Sequence, residues 1–111
     1  MNVGSLYGIG YGDGYIFANG YTGVAIIDVS TNAVVKTIAY QTLVAGQSNV
    51  EVRGGGRAYV TAGNGVGIID YEAGKMEELL LESGECKWAR ALPNGDVVVG
   101  IYCIPVMFVI N

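Results

Sequence analysis

The chain has 111 residues, which bounds it at one domain, and half of it (51%) is hydrophobic while only 14% is charged. A formal charge of −4 with no basic cluster excludes a nucleic-acid surface, since phosphate binding needs a Lys/Arg footprint. The absence of histidine removes the commonest metal ligand and the usual general base.

Eighteen glycines without a G-X-Y period, set among Val, Ile, Thr and Tyr, read as turns between strands, so the fold class is all-β. In chain order the first unit gives "SLYGIGY", turn "GDG", "YIFANG", turn "YTG", "VAIIDV", turn "STN" and "AVVKTIAY". The second gives "QSNVEVR", "GGG", "RAYVTAG", "NG", "VGIIDY", "EAG" and "KMEELLLES". The third gives "CKWARAL", "PNG", "DVVVGIY", a turn at "CIP", and "VMFVIN". "KMEELLLES" contains good helix formers, but its counterpart "AVVKTIAY" is plainly β and nine residues make a marginal helix, so a strand is expected. The N-terminus lacks a basic leader and an apolar core, so no signal peptide is expected. "VVVGIYCIPVMFVIN" is too short for a membrane-spanning helix and is interrupted by Gly100 and Pro105.

These units are copies. Gly12, Gly14, Gly23, Val24, Ile26, Ile27 and Asp28 return 42 positions later as Gly54, Gly56, Gly65, Val66, Ile68, Ile69 and Asp70. A third, decayed copy follows in "NGDVVVG" and "FVIN". A period near 40 residues marks propellers and solenoids, and four short strands joined by turns make one antiparallel meander, the unit of a propeller blade. The expected organisation is one β-propeller unit, with blade 1 at about 4–43, blade 2 at about 44–84 and a partial blade 3 at about 85–111.

"AYVTAGNGVGIIDYEAGKMEELL" resembles the YVTN β-propeller repeat, with Tyr59, Val60 and Thr61 matching its opening and Ala62 replacing Asn. "IIDVSTNAVVKTI" is similar to its later part through Ile27, Asp28, Thr31, Asn32, Val34 and Val35. "ALPNGDVVV" resembles its Pro-Asp-Gly turn. The resemblance implies a propeller fold. It says little about chemistry, because such repeats serve surface-layer proteins, lactonase-like enzymes and binding proteins alike.

No catalytic, metal or cofactor residue stands out, and no cofactor is expected. Asp28 and Asp70 end equivalent strands, and repetition favours Asx-type turns over catalysis. The glycines of "GIGYGDG" precede a strand rather than a helix, which argues against a phosphate loop and for close packing of an innermost strand. Tyr7 and Tyr11, flanking Ile9, with Tyr15, Tyr21, Tyr40, Tyr71 and Tyr102 near strand ends, suit glycans, but equally suit strands and partly wet interfaces. Trp88 is expected in packing between blades. Arg53, Arg57, Lys87 and Arg90 lie near the innermost strands, where a solvated rim is the default and an anion site the alternative.

Cys86 and Cys103 sit at the far ends of two strands joined by the "PNG" turn. A two-residue turn at Asn94-Gly95 sets them face to face. A three-residue loop with Pro93 first and Gly95 left-handed slips them by one unless a bulge intervenes, so the disulfide stays open. It needs an oxidising compartment or a hyperthermophile's cytosol.

The expected function is a non-enzymatic binding and assembly scaffold that self-associates. The alternatives are a fragment of a lactonase-like propeller enzyme and a surface-layer or virion structural element. Not quite three blades fall short of the four to eight of a closed propeller. An end face of roughly 300 Å², from strands ~4.8 Å apart, forgoes about 8 kcal/mol if wet and wholly apolar. A dimer is therefore expected, with a trimer or the remainder of a longer chain as the other ways to cover it. Localisation is left open.

Overall fold

The computed structural model describes residues 3–44, 49–81, 86–101 and 107–110. Among these residues there are eleven strands and no helix. They are β1 (Leu6–Gly12), β2 (Tyr15–Gly20), β3 (Gly23–Asp28), β4 (Ala33–Ala39), β5 (Val50–Gly54), β6 (Arg57–Thr61), β7 (Gly65–Asp70), β8 (Lys75–Leu80), β9 (Cys86–Ala91), β10 (Val97–Ile101) and β11 (Met107–Ile110). They form three antiparallel meanders in sequence order, β1–β4, β5–β8 and β9–β11. The "KMEELLLES" stretch is a strand over Lys75–Leu80, because each of its residues pairs in register with β7, from Asp70↔Lys75 to Gly65↔Leu80. The turn expected at 103–105 lies outside the described residues.

Turn chemistry sets the registers. Asp13 and Gly14 both take positive φ (55° and 81°) between the paired Gly12 and Tyr15, the two-residue hairpin geometry whose twist suits flanking strands. At the third meander Gly95 (φ 92°) closes a three-residue loop, with its N–H donating to the Leu92 carbonyl. That loop places Val97 opposite Ala91, and a bulge before Ile101 then brings Cys86 opposite Ile101. Cys103, the expected partner of Cys86, lies outside the described residues.

The sheets stack face to face through their first strands, β1 against β5 and β5 against β9. Alternation along each strand makes this possible, since successive side chains point to opposite faces. Phe17, Val24 and Ile26 of the first sheet meet Val50, Ala58, Val60 and Ile69 of the second in one buried cluster. Tyr59 and Val66, from the opposite face of the second sheet, meet Ala89, Val97 and Val99 of the third. Each sheet thus has a leading face, toward the next sheet in the chain, and a trailing face toward the previous one.

The glycines of "GIGYGDG" fit this stacking. A Cβ on Gly10 would stand 2.8 Å from Val50 Cγ1, and one on Gly12 2.7 Å from Val52 Cγ1. Only a bare backbone lets β5 come so near. The shortest extent of the molecule is 18 Å, about the length of one such strand. The sheets therefore form a slab one strand deep.

Candidate functional site

The turn acids are occupied by their own turns. Asp28 Oδ1 accepts from the Ser30 N–H (2.9 Å) and Ser30 hydroxyl (2.7 Å), and Asp70 Oδ1 accepts from the Ala73 N–H at 3.0 Å. The Ser30 hydroxyl, with the Ser30 amide, holds the Asp28 carboxyl below its ordinary value against a weaker opposing effect of desolvation. Among the described residues no group of three or more Cys, Asp or Glu side chains converges.

The other engaged acids had no motif in the sequence. Glu51, on β5, accepts from the Ala91 N–H of the next sheet at 2.6 Å, and Asn49 Oδ1 accepts from the Ala89 N–H at 2.6 Å. Glu78, on β8, is a carboxylate nest for the linker between the first two sheets. It accepts from the N–H groups of Gln41 (2.6 Å), Thr42 (2.7 Å) and Leu43 (3.0 Å), and from the Thr42 hydroxyl (2.7 Å). Burial alone would raise its pKa, but these four donors outweigh it and hold the carboxyl below the ordinary 4.5. A group with a lowered folded pKa stabilises the fold above its unfolded pKa, and that stability is lost as pH falls through the folded value. Glu78→Gln should therefore lower the thermal midpoint by about 5 °C at pH 7, roughly 1 kcal/mol for a domain of this size. The gap to wild type should close as pH drops below about 4. A gap that stays constant down to the acid limit of folding would show that the charge is not what matters.

Among the described side chains the basic residues do not converge on an anion site. Arg53 donates from Nη1 to the Gly95 carbonyl (3.4 Å) and from Nε to the Gly54 carbonyl (3.4 Å). Arg90, on β9, lies with Nη1 3.8 Å from Glu51 Oε1 and is mostly exposed. Lys87 is also on β9. Arg57 stands opposite Asp70, and Asp70 opposite Lys75, in a cross-strand row of alternating charge. With Ile68, Met76 and Glu77 that row lines an open cleft of about 300 Å³. Its two cations and two acids balance, so it selects no ligand charge.

The tyrosines divide by environment. Tyr15 and Tyr71 pack edge-on around Phe17, with ring centroids 5.2 Å apart for Phe17 and Tyr71. The Tyr71 hydroxyl donates to Asp13 Oδ2 (2.9 Å), tying the first hairpin turn to the second sheet. Burial and this donation raise its pKa. Tyr40 donates to Asn19, and burial, aided by the Glu78 charge, pushes it up to about 12. Tyr59 is fully buried, and its hydroxyl has no hydrogen-bond partner among the described residues. Tyr7, Tyr11 and Tyr21 are exposed, and a bulge falls at Tyr7. Tyr102 lies outside the described residues.

Among the described residues two sheet faces remain uncovered. On the trailing face of the first sheet, Val3 seals Ala18 and Ala25, but Ile9 and Tyr11 beside them are 66% and 68% exposed. On the leading face of the third sheet Trp88 is 46% exposed. Within the single chain it does not pack between sheets. It lies over Gly100 of its own sheet, where a Cβ would come within 2.3 Å of the indole, and among the described residues no further sheet covers that face. Compared with known proteins, the chain matches no family model and no curated sequence.

Proposed function

We propose that this chain is a non-enzymatic scaffold of the β-propeller type, a run of YVTN-like blades that closes by self-association and holds its loops around a central depression for a partner. The observation that carries this reading is the pair of uncovered faces with exposed Ile9, Tyr11 and Trp88 at the two ends of a stack whose internal junctions each hold a buried apolar cluster. Four-, four- and three-stranded meanders stacked through their first strands are the parts of such a propeller. The way the acids are used supports a structural rather than a chemical role. Asp28, Asp70, Glu51 and Glu78 each accept from backbone N–H groups in turns, junctions or linkers.

Two copies bring six sheets, within the range of closed propellers, whereas three bring nine. Light scattering of the purified chain should give twice the chain mass of 11.6 kDa. A stable soluble species of 11.6 kDa would refute self-closure.

A further inference from the structure

The junctions inside the chain show how one sheet receives the next, and the registers carry the same positions to its two ends. At the first junction Val50 and Val52, on the trailing face of β5, seat on Gly10 and Gly12 of β1. At the second, Asn49, just before β5, and Glu51, on its leading face, bond the backbone of β9 at Ala89 and Ala91. Val50 and Val52 stand opposite Val60 and Ala58 of β6. Ile9 and Tyr11 stand in the same way opposite Ala18 and Ile16, the residues 42 positions earlier. They are the trailing-face seats of the first sheet. Where Val50 is 6% exposed, Ile9 is 66% exposed.

The leading end follows by the same rule. Val97 and Val99 pack against the second sheet, so their strand neighbour Val98 and its cross-strand partner Arg90 leave the backbone on the other face, although the Arg90 guanidinium bends back to 3.8 Å from Glu51. Trp88, opposite Gly100, shares that face. Trp88 and Arg90 therefore hold in the third sheet the positions that Asn49 and Glu51 hold in the second.

From this correspondence, and resting on the self-closing scaffold reading, we propose that the leading face of the third sheet in one copy docks head to tail on the trailing face of the first sheet in a second copy. Trp88 and Arg90 meet Ile9 and Tyr11. The side chains suit such a contact. Internal junctions set glycine or alanine against a larger partner, whereas this one sets large against large, so it interlocks through side chains. Trp88, flattened on Gly100, offers a ring face to Ile9, and the Arg90 guanidinium, mostly exposed and only 3.8 Å from Glu51, turns on docking to the Tyr11 ring, a cation–π pairing. Trp, Tyr and Arg are the residues in which interface energy concentrates. A closed dimer has two such junctions and buries roughly 1,200 Å² in all, the lower bound for stable interfaces. The second copy is the fitting occupant because these two faces are the unmatched halves of a junction this chain already makes twice.

Complementary dead-face variants test the polarity. Ile9→Asp/Tyr11→Asp removes the trailing seat, and Trp88→Asp/Arg90→Ser removes the leading one. All four side chains are exposed in the single chain, so circular dichroism should stay that of wild type. Light scattering should find each variant at the chain mass when alone. An equimolar mixture should regain a species of twice that mass through its one intact junction, at higher concentration than wild type because about half the area is buried. The milder Tyr11→Ala should raise the dimer's dissociation midpoint about tenfold, a readout that survives if a double variant fails to fold. If wild type dimerises but either double variant keeps the dimer, or the mixture shows no recombination even at the highest soluble concentration, head-to-tail docking is overturned and the scaffold reading stands. A monomeric wild type would sink both.

Discussion

Phe17→Ala should cost about 3–5 kcal/mol of stability, the range for removing a fully buried phenyl ring. Phe17 has no exposed surface, and its ring lies 5.2 Å from that of Tyr71 at 82°, an edge-to-face contact between the first and second sheets. It shares its cluster with Val24, Ile26, Val50, Ala58, Val60 and Ile69, so the void opens at the centre of a junction that nothing can collapse into without moving a sheet. The loss is a large share of the 5–15 kcal/mol that holds small domains together. Urea unfolding at fixed protein concentration should show the midpoint falling by roughly 2 M with an unchanged slope. Val29→Ser, at an exposed turn position, should stay within about 0.5 kcal/mol of wild type and serves as the control. A Phe17→Ala loss below 1 kcal/mol would mean that the two sheets do not close over this ring.

The second large effect is expected from the smallest substitution. Gly65 opens β7, where a Cβ would stand 2.2 Å from the Leu79 carbonyl oxygen and 3.0 Å from the Leu80 Cα. Those are backbone atoms of the paired strand β8, and they cannot rotate away as a side chain would. Gly65→Ala must therefore push β8 off at Leu80, at a cost of about 1–3 kcal/mol. Gly23, its repeat equivalent at the start of β3, faces the same contact, since a Cβ there would stand 2.1 Å from the Ile38 carbonyl oxygen. Native-state hydrogen exchange in Gly65→Ala should show faster exchange in β7 and β8 and little change in the first sheet. Equal acceleration in every sheet would place the damage elsewhere.

That Gly23 and Gly65 recur at equivalent positions was legible in the sequence, but the reason for glycine there was not. Periodicity marks a position as repeated, whereas the carbonyl that forbids a Cβ belongs to a strand about fifteen residues further on. The tyrosines make the same point. Tyr7 and Tyr11 read as one face of a regular strand, yet the bulge at Tyr7 breaks the alternation between them. Of the carboxylates, Asp28 and Asp70 could be assigned from sequence because an Asx turn is local. Glu51 and Glu78 could not, since their partners lie some 35 to 40 residues away.

The sequence by itself determined the strands and how they follow one another. A two-residue alternation, turn residues such as Asp13-Gly14 and Pro93-Asn94-Gly95, and a 42-residue repeat dictate three antiparallel meanders of four, four and three strands, because each of these signals acts through neighbours along the chain. Only the tertiary structure decided which face of each meander is covered. Gly10 and Gly12 admit Val50 and Val52, Asn49 and Glu51 reach the backbone of β9, and Ile9, Tyr11 and Trp88 are left in solvent. Both faces of such strands are apolar, so hydrophobicity does not choose between them. Close approach of backbones does, and that is fixed between segments distant in sequence.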